Sequence, residues 1–429
     1  MRILSFSLIA LAVGSALLTA GGRAAASSNF KTLYAFCPQH TNCTDGSDPS
    51  GKLVEDAAGN FYGTTARGGA NNEGTVFMLE RRGTKYRHHV LYSFCAQANC
   101  PDGRGPWSDL VVDVNGNLYG TTTEGGTHFG GTAFELVAGR KDWQFVKLYD
   151  FCAQDGCADG NFSSDLTYEG IEQGALYDGT SPLYGANAFG GGNDAGTAYK
   201  LAPGESGWTL EVIHQFCSET NCTDGGTPLG PLLPDGDGNL LGTAGAQGAA
   251  GGGVLFQLSP KKKKGYGETV LYAFCQNAPG CADGAGPRGG LTRDAAGNIY
   301  GITQVDGNES GEGVVYKVKP KGTRSTETVL YSFCSQSNCA DGAMPYAGVV
   351  LGPAGEIYGT TNIGGANNRG VVFKIDGATE TVLKSFCDYC GDGAAPMGGV
   401  IMSQGGKLIG TTEIYGSNTE GGTVYELTP

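Results

Sequence analysis

Seven copies of one short pattern, an apolar patch that ends in Phe-Cys, constrain this chain more than any other feature. The copies are LYAFC at 33–37, LYSFC at 91–95, LYDFC at 148–152, IHQFC at 213–217, LYAFC at 271–275, LYSFC at 330–334 and LKSFC at 383–387. Successive cysteines are 58, 57, 65, 58, 59 and 53 residues apart. A period of this size, filled with strand signals, is typical of one blade of a β-propeller.

Each period contains three further apolar runs of strand length. In the second repeat they are DLVVD at 109–113, NLYGTT at 117–122 and GTAFEL at 131–136, rich in β-branched and aromatic residues. The first two runs are joined by DVNGN, whose Gly supplies the positive φ of a short hairpin turn. We attribute the recurring Gly of the NLYGTT runs to crowding of inner strands near the axis.

The order of the runs along the chain predicts how the ring closes. The chain begins with a single LYAF strand and ends with GTVYEL at 422–427, so the first strand lacks three partners and the last three strands lack a fourth. An open solenoid would leave two apolar edges exposed, whereas pairing the ends removes both. We therefore predict an all-β, seven-bladed β-propeller of four-stranded antiparallel blades over residues 30–429, closed by the N-terminal strand pairing with the C-terminal three.

Residues 1–26 have the pattern of a removable signal peptide. Arg2 precedes an apolar run from Ile3 to Leu18, and three alanines, residues 24–26, precede Ser27. A transmembrane anchor is the alternative, but the run is short for a bilayer and is interrupted by Gly and Ser. We expect a secreted, periplasmic or extracellular protein with no membrane span.

Charge excludes one class of partner. The chain has 28 Lys and Arg against 42 Asp and Glu, a formal net charge of -14. Nucleic-acid binding needs a concentrated basic surface, so no nucleic-acid partner is predicted.

All 14 cysteines fall into local pairs, one in each repeat. In an exported protein this even count predicts local disulfides. Cys387 and Cys390 alone have the two-residue spacing of zinc and redox motifs, but no second ligand pair is near them in sequence, and we favour a short disulfide loop. The predicted pairs are Cys37 with Cys43, Cys95 with Cys100, Cys152 with Cys157, Cys217 with Cys222, Cys275 with Cys281, Cys334 with Cys339, and Cys387 with Cys390.

Every cysteine pair is followed by Asp-Gly, which gives a ring of carboxylates. The acidic ring is Asp45, Asp102, Asp159, Asp224, Asp283, Asp341 and Asp392. It could bind Ca²⁺ or a cationic ligand. Asp before Gly also caps tight turns, and a residue repeated in every blade solves one local problem repeatedly, so we favour capping and predict no cofactor and no metal.

Function is better sought where the repeat is broken. Strand alternation places the disulfide loops and the Gly-rich loops at the same end of the ring. Residues there that differ between blades form a candidate ligand rim: Arg67, Trp107, His128, Phe129, Phe189, Tyr346, Arg369 and Tyr415. Aromatic and short polar groups would suit sugar rings, although surface aromatics often serve packing. A longer stretch at 169–182 breaks the third blade at the opposite end, as a partner contact or a neutral insertion.

Catalytic signals are weak, and no catalytic residue is predicted. The five histidines do not sit in a recognised nucleophile, zinc or phosphate motif; they are His40, His88, His89, His128 and His214. Pairs of carboxylates for glycoside hydrolysis could arise on any acidic rim.

The consensus of LYSFC, DG, NLYGTT, GG and GTAFEL resembles the GloVer tandem repeat of exported bacterial proteins. The resemblance covers about residues 30–429, with close matches at 117–136 and in IYGTTNIGGANNRGVVF at 357–373. The cysteine pairs elaborate on the pattern and residues 169–182 depart from it. The resemblance implies export and propeller-like repetition, with no established activity and no catalytic residues to carry over.

We therefore predict a non-enzymatic, monomeric binding module for a polysaccharide or an extracellular protein. One alternative is a polysaccharide lyase or glycoside hydrolase with rim carboxylates as acid and base. Another is a structural protein of the cell envelope.

Overall fold

The computed structural model describes residues 30–38, 42–140, 142–205, 207–263, 265–277, 280–388, 390–416 and 421–429. The predicted signal peptide at 1–26 lies outside these residues, so it stays a prediction. No helix in the described ranges is long and apolar enough to cross a membrane.

Seven antiparallel sheets arranged in a ring confirm the predicted seven-bladed propeller. Strand β1 (Phe30–Ala35) precedes blade one, which has β2 (Val54–Glu55), β3 (Phe61–Thr65), β4 (Thr75–Arg82) and β5 (Lys85–Ser93). Blade two has β6 (Val111–Val112), β7 (Leu118–Thr121), β8 (Thr132–Val137) and β9 (Gln144–Asp150), and blade three has β10 (Asn161–Ser163), β11 (Leu183–Phe189), β12 (Thr197–Gly204) and β13 (Gly207–Gln215).

Blade four has β14 (Leu233–Pro234), β15 (Leu240–Ala244), β16 (Val254–Pro260) and β17 (Tyr266–Ala273). Blade five has β18 (Ala285–Arg293), β19 (Ile299–Val305), β20 (Val314–Lys319) and β21 (Thr326–Ser332). In blade six, β22 (Ala343–Pro345) and β23 (Val350–Leu351) both pair with β24 (Ile357–Ile363), followed by β25 (Val371–Asp376) and β26 (Thr379–Ser385). Blade seven has β27 (Val400–Met402), β28 (Leu408–Thr412) and β29 (Thr423–Leu427).

The two ends of the chain pair as predicted. Strand β1 lies antiparallel to β29, with Phe30 opposite Leu427 and Ala35 opposite Thr423. This pairing gives blade seven its fourth, outermost strand and leaves neither terminal edge open.

Aromatic pairs join each blade to the next. The Phe before the first cysteine of each disulfide is buried and packs on an aromatic ring from the third strand of the following blade. The pairs are Phe36–Phe77, Phe94–Phe134, Phe151–Tyr199, Phe216–Phe256, Phe274–Tyr316, Phe333–Phe373 and Phe386–Tyr425, with ring centroids 4.9 to 5.3 Å apart. Such pairs contribute about 0.5–1.5 kcal/mol each beyond the area they bury. The conserved spacing of Phe-Cys in the repeat therefore reflects contact between blades.

The recurring Gly of the second strand makes room for these same rings. A Cβ at Gly120 would lie 2.8 Å from Cζ of Phe134, and one at Gly359 would lie 2.5 Å from Cζ of Phe373. The NLYGTT strands are second from the axis, and their glycines are crowded from both sides. A Cβ at Gly63 would lie 2.6 Å from Cδ2 of Leu53, beside the innermost strand, and 2.9 Å from Cζ of Phe77 on the third strand.

The stretch at 169–182 folds back onto blade two. The backbone amide of Val114 donates to the carbonyl of Tyr177 (2.9 Å), and the buried Tyr177 ring lies 5.1 Å from the ring of Tyr119. The insertion therefore contributes to the packing of the propeller itself.

We predict that Gly120→Ala lowers the free energy of unfolding by about 2 kcal/mol, because the added methyl overpacks against Phe134. Denaturant unfolding followed by circular dichroism measures the change. Gly405→Ala is the matched control, since its Cβ would meet nothing nearer than Oγ of Ser403 at 3.8 Å. Equal stability of the two variants would contradict the proposed role of the second-strand glycine.

Candidate functional site

The segment after each disulfide loop runs inward and enters the innermost strand of its blade. Residues from all seven of these segments line one pocket on the axis, at the disulfide end, with a volume of about 420 Å³. This volume lies in the range of small-molecule sites, roughly 300–1,000 Å³. The axial pocket is therefore the principal candidate site.

The sevenfold repeat is broken at this pocket. One position per blade comes directly before the buried Leu or Val next to the innermost strand. In blades one to three it is Lys52, Asp109 and Asp165, whereas in blades four to seven it is Pro231, Gly290, Gly348 and Gly399. At this position, charged side chains come from one side of the axis, and small residues come from the other.

The small residues accommodate the Lys52 side chain. Nζ of Lys52 lies 3.2 Å from the place a Cβ would take on Gly290, and its Cε lies 3.3 Å from the corresponding place on Gly399. Lys52 therefore extends across the axis from blade one toward blades five and seven. A larger residue at either glycine would displace the lysine.

The two aspartates link blades and also face the pocket. Asp109 Oδ1 accepts the backbone amide of Lys52 (2.5 Å), and Asp165 Oδ1 accepts the backbone amide of Asp109 (2.6 Å). Burial raises the pKa of both carboxyls, the charge of Asp109 raises the pKa of Asp165 further, and the Lys52 ammonium partly offsets these effects. The pair therefore holds a proton more readily than isolated aspartates do.

Aromatic side chains surround the mouth of the pocket. Trp107, Phe162 and Phe189 remain 39%, 37% and 43% exposed, and the Phe162 and Phe189 rings lie 5.8 Å apart. On another wall, the Arg288 guanidinium lies 3.3 Å above the centre of the Tyr346 ring and donates to Gln304 Oε1 (2.8 Å). The pocket thus combines exposed aromatic faces with a few fixed polar groups.

A shallower groove of about 280 Å³ adjoins the axial pocket across Trp107, which lines both. Arg67, Glu413 and Tyr415 line the groove, and Nε of Arg67 lies 3.5 Å from Oδ2 of Asp48. Burial raises the pKa of Glu413, with Asp48 adding to the shift and Arg67 opposing it. The two cavities therefore meet at Trp107.

The structure divides the predicted rim. Trp107, Phe189 and Tyr346 line the axial pocket, and Arg67 and Tyr415 line the groove. Arg369 pairs with Asp388 and lies 5.9 Å from the Tyr415 ring, while His128 and Phe129 are exposed outside both cavities.

Sequence reasoning missed Lys52, Asp109, Asp165, Phe162 and Arg288, all of which line the axial pocket. A signal was present for the first three. Comparison of the position before each innermost strand shows charge in three blades and Gly or Pro in the other four.

All seven disulfides join the predicted cysteines, including Cys387 with Cys390. The Gly-rich loops pack against them as strand alternation predicts: the Gly126 amide donates to the carbonyl of Cys100 (2.9 Å), and that of Gly248 to Cys222 (3.0 Å). This density of disulfides indicates an oxidising environment.

The carboxylates of the acidic ring face the disulfide loops, and none lines either cavity. In blade five, Asp341 accepts the backbone amides of Ser335 (2.9 Å) and Gln336 (3.3 Å) and the hydroxyl of Tyr331 (2.8 Å). Asp159 and Asp283 make the equivalent contacts. These bonds are those of turn caps.

Two glutamates of the outer strands face these aspartates from the next blade. Glu327 lies toward Tyr272 and Asp283, and Glu380 toward Tyr331 and Asp341; Oε1 of each glutamate is buried without a hydrogen-bond partner in the described chain. Burial, followed by the charge of the facing aspartate, raises the pKa of Glu327 to about 7 and that of Glu380 to about 8.

These shifts predict that stability falls as pH rises from 5 to 9. The unfolded glutamates ionise near their ordinary pKa of 4.5, whereas the folded ones keep their protons to about 7 and 8. Their contribution is therefore complete below pH 4.5 and is lost as pH passes through 7 and 8. After a discount for solvent screening, each glutamate contributes about 1 kcal/mol.

Denaturant unfolding at pH 5, 7 and 9 tests this dependence. The double variant Glu327→Gln, Glu380→Gln mimics the protonated state and is expected to flatten the profile. A control at the exposed Glu124 should leave the slope of the wild type unchanged. A double variant with the wild-type slope would contradict the assignment.

The chain is similar at low identity to several solved structures. No curated protein sequence matches the chain significantly. Among solved structures, a candidate 6-phosphogluconolactonase from Bacteroides uniformis is 14% identical with a TM-score of 0.46, covering 79% of this chain and 84% of that one. A protein from Lactobacillus plantarum is 14% identical, with a TM-score of 0.49 and coverage of 85% and 87%.

The soluble aldose sugar dehydrogenase of Escherichia coli, in its apo form, is 12% identical, with a TM-score of 0.43 and coverage of 76% and 96%. Identities this low say nothing about activity.

At the level of sequence families, the model of the Gloeobacter/Verrucomicrobia repeat matches residues 23–181 and 162–339. The resemblance found in the repeat consensus is thereby confirmed, and the chain belongs to the Gloeobacter/Verrucomicrobia repeat family.

Proposed function

We propose that this protein is an exported carbohydrate-binding propeller that holds a sugar unit of an extracellular polysaccharide in its axial pocket. The observation that carries the proposal is the lining of that pocket, where exposed aromatic rings at the mouth precede charged groups deeper along the axis. Each component matches one part of a sugar. Apolar C–H faces stack on aromatic rings, and hydroxyls exchange hydrogen bonds with fixed polar groups.

The mouth of the pocket supplies the stacking faces. Trp107, Phe162 and Phe189 are large aromatic side chains that stay exposed although their neighbours in the fold are buried. Leaving such rings in water forgoes the stabilisation that burial would give, about 1.5–3 kcal/mol for a large apolar side chain. A ligand that covers the rings would recover part of it.

Deeper in the pocket, the polar groups differ in the bonds they offer. Asp109 and Asp165 each use one oxygen for a backbone amide, so the second oxygen can accept a bond from a ligand hydroxyl. The Lys52 ammonium, which reaches across the axis to Gly290, supplies a donor. Arg288 is held against Tyr346 and supplies a donor at a fixed position.

The adjoining groove favours a chain over a free monosaccharide. Trp107 stands between the two cavities, so a residue stacked on it would have neighbours on both sides. An oligosaccharide is therefore expected to bind more tightly than its single unit.

One observation favours an enzyme as the second candidate. Asp109 and Asp165 form a buried pair with raised pKa values, and glycoside hydrolysis uses one protonated and one ionised carboxyl group. Both carboxylates are committed to backbone amides that join blades one, two and three. This structural role places binding first and hydrolysis second.

We expect Trp107→Ala to weaken the binding of an oligosaccharide selected on a glycan array at least about tenfold, which corresponds to 1.4 kcal/mol. Isothermal titration calorimetry measures the change. Phe129→Ala is the matched control, because Phe129 is an exposed rim aromatic outside both cavities. Equal losses in the two variants, or unchanged binding in Trp107→Ala, would contradict an axial site.

The enzyme candidate is tested on the same polysaccharides by measuring new reducing or unsaturated ends. Products formed by the wild type and lost in Asp109→Asn and Asp165→Asn would replace binding by catalysis as the function. If neither binding nor turnover occurs in a well-folded protein, the structural role in the cell envelope stands instead.

A further inference from the structure

One contact of the repeat is replaced in blade three. In five blades a tyrosine two residues before the buried Phe donates its hydroxyl to the aspartate of the acidic ring, over 2.7 to 2.9 Å. In blade six, Lys384 takes this position and pairs with Asp392. In blade three the position is His214, and no other blade has a histidine there.

His214 meets two carboxylates at the interface with blade four. Its Nε2 lies 3.7 Å from Oδ2 of Asp224 and 3.8 Å from Oε2 of Glu268, which lies in β17, the outermost strand of blade four. Both distances exceed a hydrogen bond. One ligand atom from each of the three side chains lies within 4.8 Å of the other two.

This cluster is buried, and two of its polar atoms have no hydrogen-bond partner within the described chain. The side chains of His214, Asp224 and Glu268 are 13%, 1% and 10% exposed. Within the described chain, neither Nε2 of His214 nor Oε1 of Glu268 has a hydrogen-bond partner. A buried carboxylate beside a second carboxylate is costly unless a proton or a positive partner neutralises it.

We propose that His214, Asp224 and Glu268 bind one divalent transition-metal ion between blades three and four. Ligand atoms about 2.0–2.2 Å from a zinc ion, at tetrahedral to trigonal angles, lie roughly 3.3–3.8 Å apart. The distances from His214 match that spacing. An imidazole with carboxylates suits zinc and its neighbours in the first transition row, and two carboxylates balance the charge of the ion.

The equivalent aspartate of blade five accepts a further hydrogen bond from this direction. Oδ2 of Asp341 accepts the amide and hydroxyl of Ser335 and also the hydroxyl of Tyr331. Oδ2 of Asp224 accepts the same two groups from Ser218, at 2.8 and 2.9 Å, with His214 in place of the tyrosine. The metal ion takes the position of the tyrosine proton, and Ser218 fixes the carboxylate.

Zinc chloride is the probe, added to full-length protein that is purified without a polyhistidine tag and stripped with a chelator. Calorimetry and elemental analysis are expected to show one zinc ion per chain, and the melting temperature is expected to rise with zinc concentration. His214→Tyr introduces the tyrosine that five other blades have at this position. The variant is expected to fold and to bind zinc at least about a hundredfold more weakly than the wild type. Glu268→Gln provides a second variant with the same expectation.

Glu327→Gln is the matched control, because Glu327 occupies the equivalent position at the next interface, opposite a tyrosine. It should keep the wild-type zinc affinity. Failure of the wild type to bind zinc, or full binding in both His214→Tyr and Glu268→Gln, would overturn the proposal. A loss of affinity in the control equal to that in His214→Tyr would overturn it as well.

Discussion

The pairing of β1 with β29 is the contact on which the rest of the molecule depends. A propeller blade is stable only between two neighbours, since both of its faces are apolar. Without β1, blade seven would expose the edge of β29, and Phe36 would be lost from its contact with Phe77 of blade one. The first strand therefore completes one blade and attaches it to another, which closes the ring.

Around the closed ring, the same three packing contacts recur from blade to blade. A Phe reaches the next blade, a Gly of the second strand makes room for the ring that receives it, and an Asp caps the disulfide loop. Residues that serve these contacts are fixed in every blade and are not free to specialise. Binding chemistry is consequently found where the repeat is broken, at the axis and at single substituted positions such as His214.

The axial pocket follows from geometry that no single repeat contains. Lys52, Asp109 and Asp165 are separated by more than fifty residues along the chain, yet occupy the same position in successive blades. A circular arrangement brings them to one side of the axis, opposite the glycines that admit Lys52. Phe162 and Phe189 come together across the two inner strands of blade three, which the insertion at 169–182 separates in sequence.

The sequence alone determined the number of blades, their strand order, the closure and the disulfides, because each depends on a pattern repeated at a constant spacing. It also predicted Trp107, Phe189 and Tyr346 as departures from the repeat. Only the tertiary structure decided which of the residues that differ between blades come together. Phe129 lies outside both cavities, while Arg288, Asp109 and Asp165 line the axial pocket. The reason is physical, since a local pattern specifies a strand and its partners, whereas a site depends on where different blades place their side chains around a common axis.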